Sequence, residues 1–369
     1  MSTRMIFPAD ERIITDLVPA GSGVASVYLA SVGPVDDDWP ARWHALNGRL
    51  LRAGAGDDIV AAVERAVPAA PAEGLAVFAT ATAEPVVLHA PGLAGPDRAD
   101  WTPVARLAPI LTWLRDRPAH VLVVTDRTGA DIHTGAGGGQ PPRITSVYGP
   151  DDEIERNAPG GRAQSRYQHR AEDSWRHNAG AVAGACERAL RDSGARLLVI
   201  SGDVRAVQLL EERLPAWVRT EVTIRHITGG RSPDGSQPHR AETVAEVARS
   251  AAAQWTGELL SRFAEQRAPH GLAVDGALAT LEALAQGRVA ELLVEPGQDD
   301  SRTAWFGAQP AQLLPGTQTP PPSWAQCDRG PLPDVAIRAA LRTGAQVHLL
   351  DPGAAGAPAE GIGALCRFR

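Results

Sequence analysis

Lysine is absent from this chain: all 36 basic residues among its 369 are arginine. Every cationic contact is therefore made by a planar guanidinium, which forks onto carboxylates and phosphates. The same gap, beside a heavy load of Ala, Gly and Pro, is also what a GC-rich genome produces in any protein. Cysteine is scarce. Cys186, Cys327 and Cys366 stand far apart with no CxxC pair, which argues against a disulfide framework or a thiolate zinc site and fits a reducing cytoplasm. No uninterrupted apolar run approaches about 18 residues, so no transmembrane helix is expected. The opening MSTRMIFPADER lacks the apolar segment of a secretory leader. A surplus of positive charge is missing too. The net charge of −7 argues against a general nucleic-acid coat protein and confines any RNA contact to a local patch. Asp36, Asp37 and Asp38 precede Trp39-Pro40 and read as a solvated helix start. Asp126, Asp131 and Glu153 form no metal spacing. No metal and no cofactor are expected.

What is present is an ordinary globular composition, 44% hydrophobic and 21% charged. The length suggests two or three domains. The fold class expected is α/β in three domains: an N-terminal α/β domain (1–117), a middle domain with a mixed sheet and packed helices (118–252), and a C-terminal α/β/α domain (253–369). In the first, Val24 to Val32 reads as a strand, and Trp39 to Arg52 and Asp57 to Val67 as helices. GLAVFAT and EPVVLHA read as a strand pair, and DWTPVARLAPILTWLRDR as a helix. The second opens with strands at VLVVT, ADIHTG and RITSVYG, the last two joined by a Gly-rich turn that contains Gly138-Gly139-Gln140. A long helix runs to about Ser193. ARLLVISG then reads as a buried strand, VRAVQLLEERL as a helix and VRTEVTIRHI as a strand. GGRSPDGSQP looks like a linker. The third has helices at Arg240 to Gln266, ALATLEALAQG and PDVAIRAALRTG, and strands at AELLVE and AQVHLLD. GTQTPPPSWAQCDRGP has the composition of a loop, and GIGALCRFR reads as a closing edge strand.

One stretch combines features found nowhere else in the chain: Pro159 to Asn178, PGGRAQSRYQHRAEDSWRHN. Gly160 and Gly161 permit close backbone approach to another molecule. A polar loop is expected to follow, carrying Gln164, with a helix starting at Arg166. At 100° per residue, Tyr167, Ala171, Trp175, Ala179, Val182, Cys186 and Leu190 line one apolar face. Arg166, Arg170 and His177 fall within an arc of about 40° on the other side, beside Asp173. A solvated helix face would show the same pattern, with Arg170 and Asp173 as a local pair. Arg162 and Arg166 near the helix start oppose the helix dipole and favour an anion outside.

The order GG…Q…RYxxR…RHN, here Gly160, Gly161, Gln164, Arg166, Tyr167, Arg170, Arg176, His177 and Asn178, resembles the middle domain of archaeal and eukaryotic class-1 release factors. GLAVDGALATLEALAQGRVAELLVE and the terminal GIGALCRFR are similar to the third domain of Pelota and the release factors, with its L7Ae/Pelota-like fold. The likeness covers His120 to the C-terminus. Arg162 and Ala163 stand between Gly161 and Gln164, a GxxQ form similar to that of a group of peptidyl-tRNA hydrolases and of bacterial relatives of Pelota. The first domain shows no run resembling the stop-codon-reading motifs. The combination looks most like the bacterial branch of Balon-like ribosome hibernation factors. That resemblance implies a cytoplasmic, non-enzymatic factor that occupies the vacant A site of the 70S ribosome and reaches the peptidyl transferase centre. Gly160, Gly161, Arg162, Arg166, Arg170, Arg176 and His177 would lie on 23S rRNA or tRNA, with the elongation GTPase EF-Tu as a further partner and no role for membrane or DNA. The alternative it implies is a peptidyl-tRNA hydrolase or rescue factor in which Gln164, as catalytic residue, positions the attacking water.

Overall fold

The computed structural model describes residues 5–6, 23–31, 39–67, 73–135, 137, 141–149, 161–231, 237–297, 301–324 and 326–369; of 5–6, 161–173 and 237–238 it describes the backbone alone. The chain divides into two compact units. One joins Met1–Arg115 to Gln254–Arg369, and the other is Asp116–Ala253. The architecture is α/β in both.

The N-terminal part of the first unit is a five-stranded sheet ordered β1-β4-β3-β2-β5, with β1 at Met5–Ile6, β2 at Val24–Leu29, β3 at Leu75–Ala79, β4 at Val86–His89 and β5 at Arg98–Thr102. Helices α1 (Trp39–Arg52) and α2 (Asp57–Ala66) cover one face, where Leu46, Leu50, Ile59 and Val63 meet Ala25, Val27 and Val77. A third helix, α3, spans Ala108–Arg115. The helix expected to begin at Asp100 starts late. Asp100, Trp101 and Thr102 pair with Ser26, Ala25 and Val24 in β5, and Pro103 follows, its predecessor biased toward extended backbone.

The second unit carries the sheet β10-β9-β6-β7-β8. Strands β6 (His120–Thr125), β7 (Gly129–Gly135) and β8 (Arg143–Tyr148) form an antiparallel meander. The expected turn at Gly138-Gly139-Gln140 falls outside the described residues, between paired Thr134 and Arg143. Helix α4 (Gly161–Ser193) then crosses over to β9 (Leu197–Gly202), which lies parallel to β6 on the opposite side from β7. After α5 (Val204–Arg213) and α6 (Ala216–Glu221) comes β10 (Thr223–His226), parallel to β9. The strand expected over VRTEVTIRHI is thus split. Val218, on the short helix, and Val222, its cap in extended backbone, both enter the core, and only four residues pair as a strand. A 30-residue helix, α7, spans Gln237–Gln266.

The rest of the first unit holds β11 (Ala273–Asp275), α8 (Ala277–Ala285), β12 (Val289–Val294), β13 (Thr303–Gly307), β14 (Leu313–Pro315), β15 (Cys327–Pro331), α9 (Leu332–Arg342), β16 (Gln346–Leu349) and β17 (Ile362–Cys366). The four-stranded sheet is ordered β11-β17-β12-β16 and the three-stranded sheet β14-β13-β15. Two expectations change here. The final strand is internal, flanked by β11 and β12, with all five residues buried. A three-residue strand such as β11 is too short to show periodicity. The insert read as a loop ends in β15, which pairs with β13. Tyr28, Phe78, Leu88, Ile110 and Trp113 share one core with Leu281, Leu292, Phe306, Val335 and Ile337. Arg106 ties the same unit together through Asp334, at 2.9 Å with Asp334 4% exposed.

Candidate functional site

Helix α4 begins at Gly161, so Gln164 is helical and not on a preceding loop. Arg162 to Arg166 are competent helix formers, and the strong breakers nearby, Pro159 and the glycine pair, all precede them. Gly160 lies outside the described residues. Gly161, Arg162, Gln164, Arg166 and Arg170 fall in the first three turns, where the backbone alone is described. Farther along, the expected faces separate. Ala179, Val182, Cys186 and Leu190 are buried against the sheet, while Arg176 and His177 are exposed. Burial pushes the Cys186 thiol up to about 12, which makes it a packing residue and not a nucleophile.

Asn178, the third member of the Arg-His-Asn run, points inward and is 4% exposed. Its Nδ2 donates to the Arg127 carbonyl at 3.1 Å. Its amide lies against Gly149, where an added Cβ would come 1.7 Å from Oδ1. The Gly149 amide in turn donates to the Thr128 carbonyl at 2.9 Å. The helix is thereby fastened to the β6–β7 turn and to the end of β8. That turn is an Asx turn. Asp126 Oδ1 accepts from the Thr128 amide at 2.8 Å, the Thr128 hydroxyl at 2.7 Å and the Gly129 amide at 3.0 Å.

The carboxyl ends of β6 and β9 meet where the strand order reverses, the usual place for a crevice in an open α/β sheet. Here Thr125, Asp126, Gly202, Asp203, Gly229, Gly230 and Arg231 line an open cleft of about 360 Å³. Gly202 has φ +144°, and a Cβ there would lie 1.9 Å from the Thr125 carbonyl oxygen, so glycine is required for β9 to run beside β6. Asp203 caps α5 by accepting from the amides of Arg205 and Ala206 at 3.0 and 3.2 Å.

Two arginines organise this edge. The Arg127 guanidinium lies 4.6 Å from the Trp175 ring centroid and 3.6 Å from Asp203 Oδ2. Arg231 sits in the run expected to be a linker, yet its side chain is only 11% exposed. It binds Asp131 at both ends, Nε to Oδ2 at 3.0 Å and Nη2 to Oδ1 at 3.2 Å, and lies 3.5 Å from Asp126. Its guanidinium also packs 4.7 Å from the centroid of Tyr148. Burial works against the Asp131 charge, but hydrogen bonds from Arg231 and Ser146 and the Arg231 charge outweigh it and hold the carboxyl below its ordinary value. Burial, together with Arg240, lowers His133 despite the neighbouring Asp131. Among the described residues, no group of three His, Cys, Asp or Glu could hold a metal ion. Each acid at this edge is committed to a turn, a cap or an arginine. The edge presents guanidinium, aromatic and backbone groups beside α4. Sequence reading singled out Arg176 and His177 but missed Arg127, Tyr148 and Arg231. The one local signal was the Asp-x-x-Gly turn at Asp126 to Gly129. Arg231 meets Asp131 across 100 positions of sequence, and no local pattern announces such a pair.

Residues 119–269 match the model of bacterial archaeo-eukaryotic release factor family 2. The resemblance to a bacterial release-factor branch therefore holds for that stretch. Two proteins of Mycobacterium tuberculosis, uncharacterized protein MT2704 of strain CDC 1551 / Oshkosh and uncharacterized protein Rv2629 of strain ATCC 25618 / H37Rv, are each 28% identical over 374 residues, covering 95% of this chain and 95% of theirs. Among solved structures, the chain is similar to the model of ribosome-bound archaeal Pelota and ABCE1 (TM-score 0.42, 13% identity, 99% of this chain and 96% of that one). It is also similar to S. cerevisiae Dom34 (0.41, 8%, 98% and 92%) and to the archaeal translation termination factor aRF1 (0.26, 15%, 97% and 96%).

Proposed function

We propose, from a middle domain of the bacterial archaeo-eukaryotic release-factor kind, that this protein is a ribosome-binding translation factor that occupies a vacant A site and protects idle ribosomes. The observation that carries the reading is the division of labour along α4. Asn178 locks the helix to the sheet, while Arg176 and His177, the two residues before it, face solvent. Arg162, Arg166 and Arg170 continue the same helix toward Gly161. A rigid cationic helix on an otherwise acidic protein suits a local, shape-specific contact with ribosomal RNA phosphates. Gln164 would then approach the peptidyl transferase centre, and an elongation GTPase of the EF-Tu type is the partner proposed for delivery.

The test is sedimentation with purified 70S particles across a salt series. Co-migration should weaken with salt, and Arg166→Ala with Arg170→Ala should lower the log–log salt slope by about 1 per phosphate contact removed. Absence of co-migration at low salt would overturn the reading. Peptide release from stalled complexes that disappears in Gln164→Ala would put the hydrolase in its place.

A further inference from the structure

Strand β8 is the outer strand of the second unit's sheet, and five of its six residues are exposed. Its last residue, Tyr148, is 70% exposed, although the ring is not loosely held. Arg231 lies 4.7 Å from the ring centroid and is itself gripped at two points by Asp131. The cross-strand partner of Tyr148 is Gly129. A Cβ at Gly129 would fall 2.0 Å from the Val147 carbonyl oxygen, so that position stays bare and, among the described residues, no side chain crosses over from β7 to cover the ring. The tyrosine is thus fixed from behind by a cation and left open to solvent.

We propose that Tyr148 is a stacking platform for an unpaired RNA base, a contact separate in kind from the phosphate contacts of α4; it rests on the ribosome-binding reading for the source of that RNA. Three observations favour RNA over a protein partner. The exposed apolar side chains of β8 are isolated: Ile144, at 59% exposure, is four residues from Tyr148, about 13 Å along a strand. Thr145, Ser146 and the half-buried Val147 lie between them, so among the described residues β8 presents no continuous apolar patch of the kind that seats a protein. The acids at this edge do not stand open against a polyanion: Asp126 and Asp131 are occupied by Arg231, and Asp203 by Arg127, which is 53% exposed on the turn whose Thr128 carbonyl accepts from the residue after Tyr148. A rigid aromatic ring also loses little freedom on stacking, and every base offers it a face.

The experiment measures binding of the full chain to a short fluorescent oligouridylate by anisotropy, with Tyr148→Ala and Tyr148→Phe beside the wild type and with 70S co-sedimentation run in parallel. Tyr148→Ala should weaken oligonucleotide binding about 5- to 150-fold, the range of one lost base stack, while Tyr148→Phe stays within about two-fold. The salt slope should not change in Tyr148→Ala, because stacking releases no counterions. Far-UV circular dichroism checks that the fold is intact, as expected at an exposed position. The proposal is overturned by a wild type that does not bind the oligonucleotide or by a Tyr148→Ala change of less than about two-fold. It is also overturned if Tyr148→Ala reduces 70S binding alone, which would assign the surface to a protein. Oligonucleotide binding that depends on Tyr148 without any 70S binding would uphold the platform and refute the ribosome reading.

Discussion

Replacing Gly149 with alanine should damage the second unit, and removing Asn178 should repair most of that damage. The methyl that Gly149→Ala introduces would sit 1.7 Å from Asn178 Oδ1, 2.0 Å from Cγ and 2.3 Å from Nδ2. To restore carbon–oxygen contact the amide must withdraw by roughly 1.5 Å or more, which breaks the 3.1 Å bond to the Arg127 carbonyl. Overpacking costs about 1–3 kcal/mol and the lost hydrogen bond about 1 kcal/mol, so Gly149→Ala should destabilise by about 2–4 kcal/mol. Asn178→Ala alone loses the bond without the clash and should cost about 1–2 kcal/mol. In the double variant the methyl has space, and the cost should return to about that of Asn178→Ala. The coupling, roughly 2 kcal/mol or more, is read from urea unfolding of the four proteins, with hydrogen exchange at the β6–β8 amides reporting the unit itself. Additivity within about 0.5 kcal/mol would refute the close packing of the helix against the end of β8.

Three further outcomes are expected. Asp131 has a depressed pKa in the folded state, so its contribution is complete above the ordinary aspartate value of about 3.9 and is lost as pH falls through the folded value. Asp131→Asn should flatten the acid limb of the β6–β8 exchange profile, and an unchanged limb would refute the coupling to Arg231. In the first unit, His348 (Nε2 to Oε2 3.1 Å) and a two-point contact from Arg262 (2.9 and 3.1 Å) hold Glu291 down to about 2. Stability from Glu291 is therefore fully present above about 4.3 and is lost as pH falls toward about 2; Glu291→Gln should remove that dependence from acid titrations of the melting temperature. Arg338 is 1% exposed, its Nε has no hydrogen-bond partner among the described residues, and its hydrogen bond to the Gly307 carbonyl is long at 3.4 Å, though Phe306 packs 4.7 Å away. Arg338→Met keeps the stem and removes a poorly compensated charge, so it should be neutral or stabilising by about 1–2 kcal/mol in thermal unfolding; a loss above about 1 kcal/mol would show that the Phe306 contact dominates.

The parts of the site that could be read in advance are those in which neighbours along the chain dictate the outcome. The packing side of α4 at Ala179, Val182, Cys186 and Leu190 follows from helical spacing alone, and burial agrees with it. The same spacing put His177 on the outer side, and it is exposed. Asn178 was visible as part of a motif, but its inward role depends on Arg127 and Gly149, both far earlier in the chain. The loop expected around Gln164 failed for a local reason: glycine lowers helix propensity only at its own position, and the residues from Arg162 to Arg166 carry no comparable penalty.

By itself, the sequence determined the alternating strands and helices, the buried runs at Val121–Thr125 and Leu197–Ile200, and the two sides of α4, because side-chain period and solvent aversion act over a few residues. Tertiary structure alone decided which distant segments share a core. The first and last parts of the chain enclose Phe78 and Val335 together. The final strand became internal once β11 added to its open edge. The cation of a linker-like run, Arg231, was drawn to Asp131 and placed behind Tyr148. Such pairings are set by where folded surfaces meet, and the free energy of closing a long loop depends so weakly on its length that no spacing in the sequence marks them.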